Sequence, residues 1–125
     1  MKKRILLLLT VVVLGVVLVV GVALAANFTG TAGPNRITGT GSADNIDGGG
    51  GADILNGAEG PDNLFAAFGV DALRGGKGDD LLVTFDRSGG DTAHGGDGQD
   101  TCVIDQGDNV ASCEDINPEV TVDQP

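Results

Sequence analysis

Residues 30–83 read, in nines, GTAGPNRIT, GTGSADNID, GGGGADILN, GAEGPDNLF, AAFGVDALR and GGKGDDLLV. Thr84 and Phe85 interrupt the register, which resumes as DRSGGDTAH from Asp86 and GGDGQDTCV from Gly95. Across these eight units the fourth position is glycine except at Ser42. The sixth is aspartate (Asp44, Asp53, Asp62, Asp71, Asp80, Asp91 and Asp100) except at Asn35. The eighth is Ile37, Ile46, Leu55, Leu64, Leu73, Leu82, Ala93 or Cys102. A repeat this short cannot bury its apolar residue alone and must stack on its neighbours. Each unit divides into a glycine-rich turn half and a strand half.

The turn half must reverse the chain and present oxygens. Glycine makes such a loop accessible because it tolerates positive φ without a Cβ clash. Carboxylates and backbone carbonyls together suit a hard cation that takes six to eight oxygens, and one aspartate per turn cannot complete that shell. In the strand half the eighth side chain faces inward and its neighbours outward.

The pattern GGxGxDxUx, with U a large apolar residue, resembles the nonapeptide of RTX (hemolysin-type) calcium-binding proteins. Gly75–Val83 and Gly95–Val103 match it most closely, and the resemblance covers residues 30–103. It implies an all-β parallel β-roll with two nonapeptides per coil and Ca²⁺ held between turns on the same edge. Partners are then two units apart, pairing Asp44 with Asp62, Asp62 with Asp80, and Asp53 with Asp71. Backbone carbonyls of the early turn positions, among them those of Gly48, Gly57, Gly60, Gly75 and Gly78, would complete the shells. A site between Asn35 and Asp53 should be weaker, having lost a charge. Ala66, Ala67 and Phe68 replace glycines in the fifth unit and put the Asp53 and Asp71 site in question. Pairing Asp71 with Asp91 and Asp80 with Asp100 requires a bulge at Thr84 and Phe85. The implied load is several ions, about three to six, at the coordination each requires. With a core one side chain wide, metal and fold should form together.

Upstream, Lys2, Lys3 and Arg4 precede an apolar run from Ile5 to Ala25 that closes Ala23-Leu24-Ala25. This is the layout of a signal peptide, residues 1–25, cleaved after Ala25. It is also long enough to stay as an N-terminal membrane anchor. Either way the remainder is expected outside the cytoplasm, secreted or at the cell surface. Beyond residue 25 the chain carries 4 Lys and Arg against 18 Asp and Glu, a net charge of −14. Such a surface repels nucleic acid and favours multivalent cations.

The only cysteines are Cys102, at a core position of the last unit, and Cys113. In an exported protein an isolated pair favours a disulfide over a metal site, with two free thiols as the other reading. Residues 104–117 are expected to cap the open end of the roll; Gly107–Glu114 resembles the closing element of small bacterial RTX-type proteins. Residues 118–125 read as a disordered tail. His94 has no second histidine to join and is expected outward on a strand. Asn27-Phe28-Thr29 fits a glycosylation sequon, read as coincidence. No nucleophile and base pair stands out, so an enzyme is not expected.

Three functional classes follow. The first is a calcium-folded structural or adhesive module whose partners are calcium ions and a cell-surface or matrix component. The second is a polysaccharide- or ice-binding solenoid that calcium only stabilises. The outward positions, taken together, mix Arg, Asn, Thr, Ile and Leu, which disfavours the regular threonine array that ice binding needs. The third is a disordered acidic spacer, against which the eight-unit register argues.

Overall fold

The structure, a computed structural model, describes residues 24–118. The leader or anchor expected over residues 1–25 and the tail over 118–125 therefore fall almost wholly outside the described residues. The described chain forms two parallel sheets wound from eleven short strands, with no helix among them. Six strands make one sheet: β1 (Asn27–Thr29), β3 (Asn45–Asp47), β5 (Asn63–Phe65), β7 (Leu81–Val83), β9 (Thr101–Ile104) and β11 (Asp115–Pro118). The other five make the second: β2 (Arg36–Thr38), β4 (Ile54–Glu59), β6 (Ala72–Lys77), β8 (Thr92–Asp97) and β10 (Asn109–Ala111). Consecutive strands alternate between sheets, so each coil is strand, turn, strand, turn.

The period of two explains the section. Eighth-position side chains point between the sheets, and Ile46, Leu55, Leu64, Leu73, Leu82, Ala93 and Cys102 form a buried core with Ala66. Phe28, Ile37, Ile104 and Val110 pack against it. Partners lie 18 residues apart through Leu64↔Leu82. They lie 20 apart at Leu73↔Ala93 and Leu82↔Cys102.

The two inserted residues do not make the expected strand bulge. β7 ends at Val83 in register with β9, and the Thr84 N–H donates to the Val103 carbonyl at 2.9 Å. Ala66 does the same to Val83 at 2.9 Å, so Thr84 is the first residue of its turn. The insertion lengthens the turn 84–91 instead. A turn absorbs extra residues at its tip, whereas a bulge would leave ladder groups unpaired.

The roll extends beyond the eight units at both ends. β1 pairs with β3 at an offset of 18, so Asn27–Thr29 adds a strand half ahead of the first unit. Downstream, β10 pairs with β8 and β11 with β9 at offsets of 17 and 14, so residues 104–117 continue both sheets through shortened turns. Cys102 and Cys113 are joined, with Cα atoms 6.0 Å apart, which fastens the last turn to the core of β9.

Candidate metal centre

The turns stack in two columns, one on each edge of the roll, and each column is threaded by its sixth-position aspartates. Asp62 Oδ1 accepts the Asp44 N–H at 2.8 Å, Asp80 Oδ1 that of Asp62 at 2.9 Å, and Asp100 Oδ1 that of Asp80 at 2.9 Å. On the other edge Asp53 takes Asn35, Asp71 takes Asp53 and Asp91 takes Asp71, each at 2.7 Å. The bonds across the 20-residue offsets are as short as the rest, so Asp91 and Asp100 stand in their columns on equal terms.

The second carboxylate oxygen is different. Oδ2 of Asp53, Asp62, Asp71, Asp80, Asp91 and Asp100 is buried and has no hydrogen-bond partner. Those of Asp53, Asp62, Asp80 and Asp100 lie inside their turns, against the first-position glycine. A Cβ built on Gly48 would lie 2.6 Å from Asp53 Oδ2 and 3.2 Å from the Ala66 carbonyl oxygen of the next coil. Gly57 faces Asp62 Oδ2 and the Gly75 carbonyl, and Gly75 faces Asp80 Oδ2 and the Gly95 carbonyl, more closely still. Glycine is required here because a side chain would occupy the space where these oxygens meet. Gly60 and Gly78 do a different job. They stack on each other in the fourth position with φ of 97° and 126°, where an L side chain is strained.

A buried charged oxygen without a partner is costly unless a cation or proton neutralises it. Burial pushes the Asp62 carboxyl up to about 6; the charges of Asp80 and Asp44 add to the rise, and the Asp44 N–H bond opposes it. Burial likewise raises Asp91 to about 6, with Asp108, Asp71 and Asp86 nearby. Asp71, Asp80 and Asp100 are raised for the same first reason. Among the described residues no three Asp, Glu, His or Cys side chains gather. A cation here would draw on aspartates of adjacent coils and mostly on backbone carbonyls, the donor set that suits Ca²⁺.

Two turns are already closed without a cation. Asp44 Oδ2 accepts the Thr40 N–H at 2.5 Å and the Thr40 hydroxyl at 3.0 Å, while its Oδ1 accepts the Ala26 N–H at 2.9 Å. Burial would raise this carboxyl, but the bonds from the Thr40 N–H, the Ala26 N–H and the Thr40 hydroxyl outweigh it and hold Asp44 below 3.8. Asn35 Oδ1 is engaged in the same way by the N–H of Thr31 at 2.7 Å. Both of the first turns carry threonine in the second position. Of the aspartate pairs read from the sequence, Asp44 with Asp62 is thus the one whose first member already has its bonds.

A scan against protein-family models matches the RTX calcium-binding nonapeptide repeat, in four copies, over residues 29–64, 65–84 and 85–111. The chain belongs to this family. The RTX match spans about two thirds of the sequence and stops short of β11. No curated protein and no solved structure matches the chain. What the RTX pattern omits is how the columns end. Asp108 Oδ1 accepts the Asp91 N–H at 3.0 Å, and Glu114 Oε2 accepts that of Asp100 at 2.9 Å. The signal was present: Asp108-Asn109-Val110 and Glu114-Asp115-Ile116 repeat the acid, polar, apolar order of the strand half without nine-residue spacing. Asn27-Phe28-Thr29 keeps the spacing instead, with Phe28 nine residues before Ile37, but has Ala26 where the acid stands; Asn27 Oδ1 accepts the Asn45 amide at 3.0 Å in β1. His94, expected fully outward, is half-buried on β8, and its Nδ1 has no partner.

Proposed function

We propose that this chain is an exported calcium-binding module, secreted or held at the cell surface, whose repeats fold when Ca²⁺ enters the turns. The observation that carries the reading is the set of six buried, unpartnered carboxylate oxygens, one per turn, four of them (in Asp53, Asp62, Asp80 and Asp100) beside a carbonyl of the next coil. At neutral pH an assembled roll without metal would hold like charges in file in its interior, which opposes assembly. Divalent cations between turns neutralise these columns and satisfy the oxygens together, so binding free energy becomes folding free energy. Export is supported by the basic-then-apolar start of the sequence and by the Cys102–Cys113 bridge, since such bonds persist in oxidising compartments. The role there is structural or adhesive, with no catalytic step assigned to any residue.

The test is far-UV circular dichroism of the protein titrated with Ca²⁺, with Mg²⁺ as control. A disordered spectrum that turns to β structure at about 0.1 to 1 mM Ca²⁺, and reverts in chelator, supports the reading. A spectrum already fully β in chelator at pH 7 would remove calcium from the folding step.

A further inference from the structure

The alternation of strands between sheets separates outward charges that the sequence interleaves. None of the outward seventh and ninth positions of the five-stranded sheet is acidic, and Arg36, Arg74 and His94 stand among them. The same positions of the six-stranded sheet include Asp47 and Asp115 and no Lys, Arg or His. Of the four Lys and Arg that follow residue 25, three (Arg36, Arg74 and Lys77) lie on β2 and β6, in a region with 18 acids. Lys77 pairs with Glu59 at 3.1 Å. Arg36 and Arg74 are exposed and form no ion pair with any described residue. Two guanidinium groups left without carboxylates, on a molecule with carboxylates to spare, mark a face kept for an outside anion.

Between them runs a groove of about 370 Å³, with the outward Ile54 and Ala72 at its apolar part and Asn56 and Thr92 along it. Neighbouring strands sit about 4.8 Å apart and Arg74 is two residues further along its strand than the Arg36 rung, which places the two backbones about 12 Å apart on a diagonal, with His94 one strand beyond Arg74 on the same rung. We infer that this face binds a linear acidic polysaccharide, laid across the strands with its carboxylates on Arg36 and Arg74. The guanidinium fork matches a carboxylate in two-point contact. Asn56 and Thr92 supply donors and acceptors for sugar hydroxyls, and the short apolar part admits a ring face. A face of evenly spaced rungs suits a polymer of evenly spaced units. Nucleic acid is disfavoured because the face lacks the aromatic platforms that stack bases. The inference rests on the calcium-folded roll, since only the folded chain brings β2, β6 and β8 together.

Oligogalacturonate is the probe, titrated into the full-length protein in about 1 mM Ca²⁺, with neutral dextran and polyglutamate as comparators. The expected result is saturable binding of oligogalacturonate and none of dextran. In the double variant R36Q/R74Q, whose circular dichroism in calcium should match the parent, affinity should fall about tenfold or more. Equal affinity in the variant would assign binding to calcium bridges at the turns and overturn the inference. Polyglutamate binding as tightly as the sugar would overturn it in favour of an acidic peptide. The spectra separate the two readings: a protein that folds in calcium but binds no oligogalacturonate refutes this inference alone, and one that does neither refutes both.

Discussion

Asp62 accepts a backbone N–H with one oxygen and nothing with the other, and this division is the chemical content of the turn. It fixes the sign of the pH response. A carboxyl that sits at 3.8 by default and is raised to about 6 in the fold takes up a proton on folding. The metal-free roll therefore gains stability as pH falls from about 6 toward about 4 and loses it as pH rises through 6. In chelator, β structure should appear on moving from pH 7 to pH 4.5. Calcium affinity should weaken over the same window, because protons compete for Asp62 and Asp91. A β signal in chelator that decreased on acidification would contradict this. The glycines give a second contrast. Gly57→Ala would thrust a methyl between Asp62 Oδ2 and the Gly75 carbonyl, whereas Gly41 has nothing within 4 Å of its Cβ direction. Overpacking of about 1–3 kcal/mol translates into a calcium midpoint raised about tenfold for Gly57→Ala. Gly41→Ala should stay within about twofold of the parent. Both are read from calcium titrations followed by circular dichroism.

Strands of three residues survive only as members of a stack, so the ends of the stack decide how it frays. At the C-terminal end β10 and β11 rest on turns shortened to a few residues and on the Cys102–Cys113 bond. Replacing both cysteines by alanine should cost about 2–3 kcal/mol in saturating calcium. Amide exchange should quicken at Asn109–Ala111 and Asp115–Asn117, with β3 and β5 unchanged; uniform quickening would mean that the bond supports the whole roll. The same ends show what the sequence reveals and what it hides. The eight eighth-position residues and seven aspartates announce themselves because spacing by nine keeps turn and strand in phase. β10 and β11 keep the apolar middle residue of the strand but shorten the turn, and periodicity alone passes over them; β1 keeps the spacing through Phe28 but has Ala26 in place of the aspartate. Closure of the first two turns by Thr31 and Thr40 is hidden for another reason. The repeat pattern leaves the second position unassigned, while in three dimensions the threonine there donates both its N–H and its hydroxyl to the same oxygen of Asn35 or Asp44.

Across the whole molecule the coils are interchangeable units. A site filled at tenfold excess of calcium over its Kd adds about 1.4 kcal/mol, so occupied turns reinforce each other through shared aspartates and the transition should be cooperative. Duplicating residues 48–65 inserts one complete coil, with one turn for each column. Equilibrium dialysis should then find two more calcium ions per chain at saturation, with no loss of thermal stability. A count that did not rise would show that position along the column, rather than the turn itself, makes the site. One further consequence follows from the direction of the carboxylate bonds. Within the two columns Asp44 reaches to Ala26, Asp62 to Asp44, Asp108 to Asp91 and Glu114 to Asp100, each toward the coil that precedes it in the chain. A roll emerging N-terminus first starts from two knots already tied by threonine. Each coil then stitches down the one before it as it appears and waits for nothing behind, so the seam closes in one direction only.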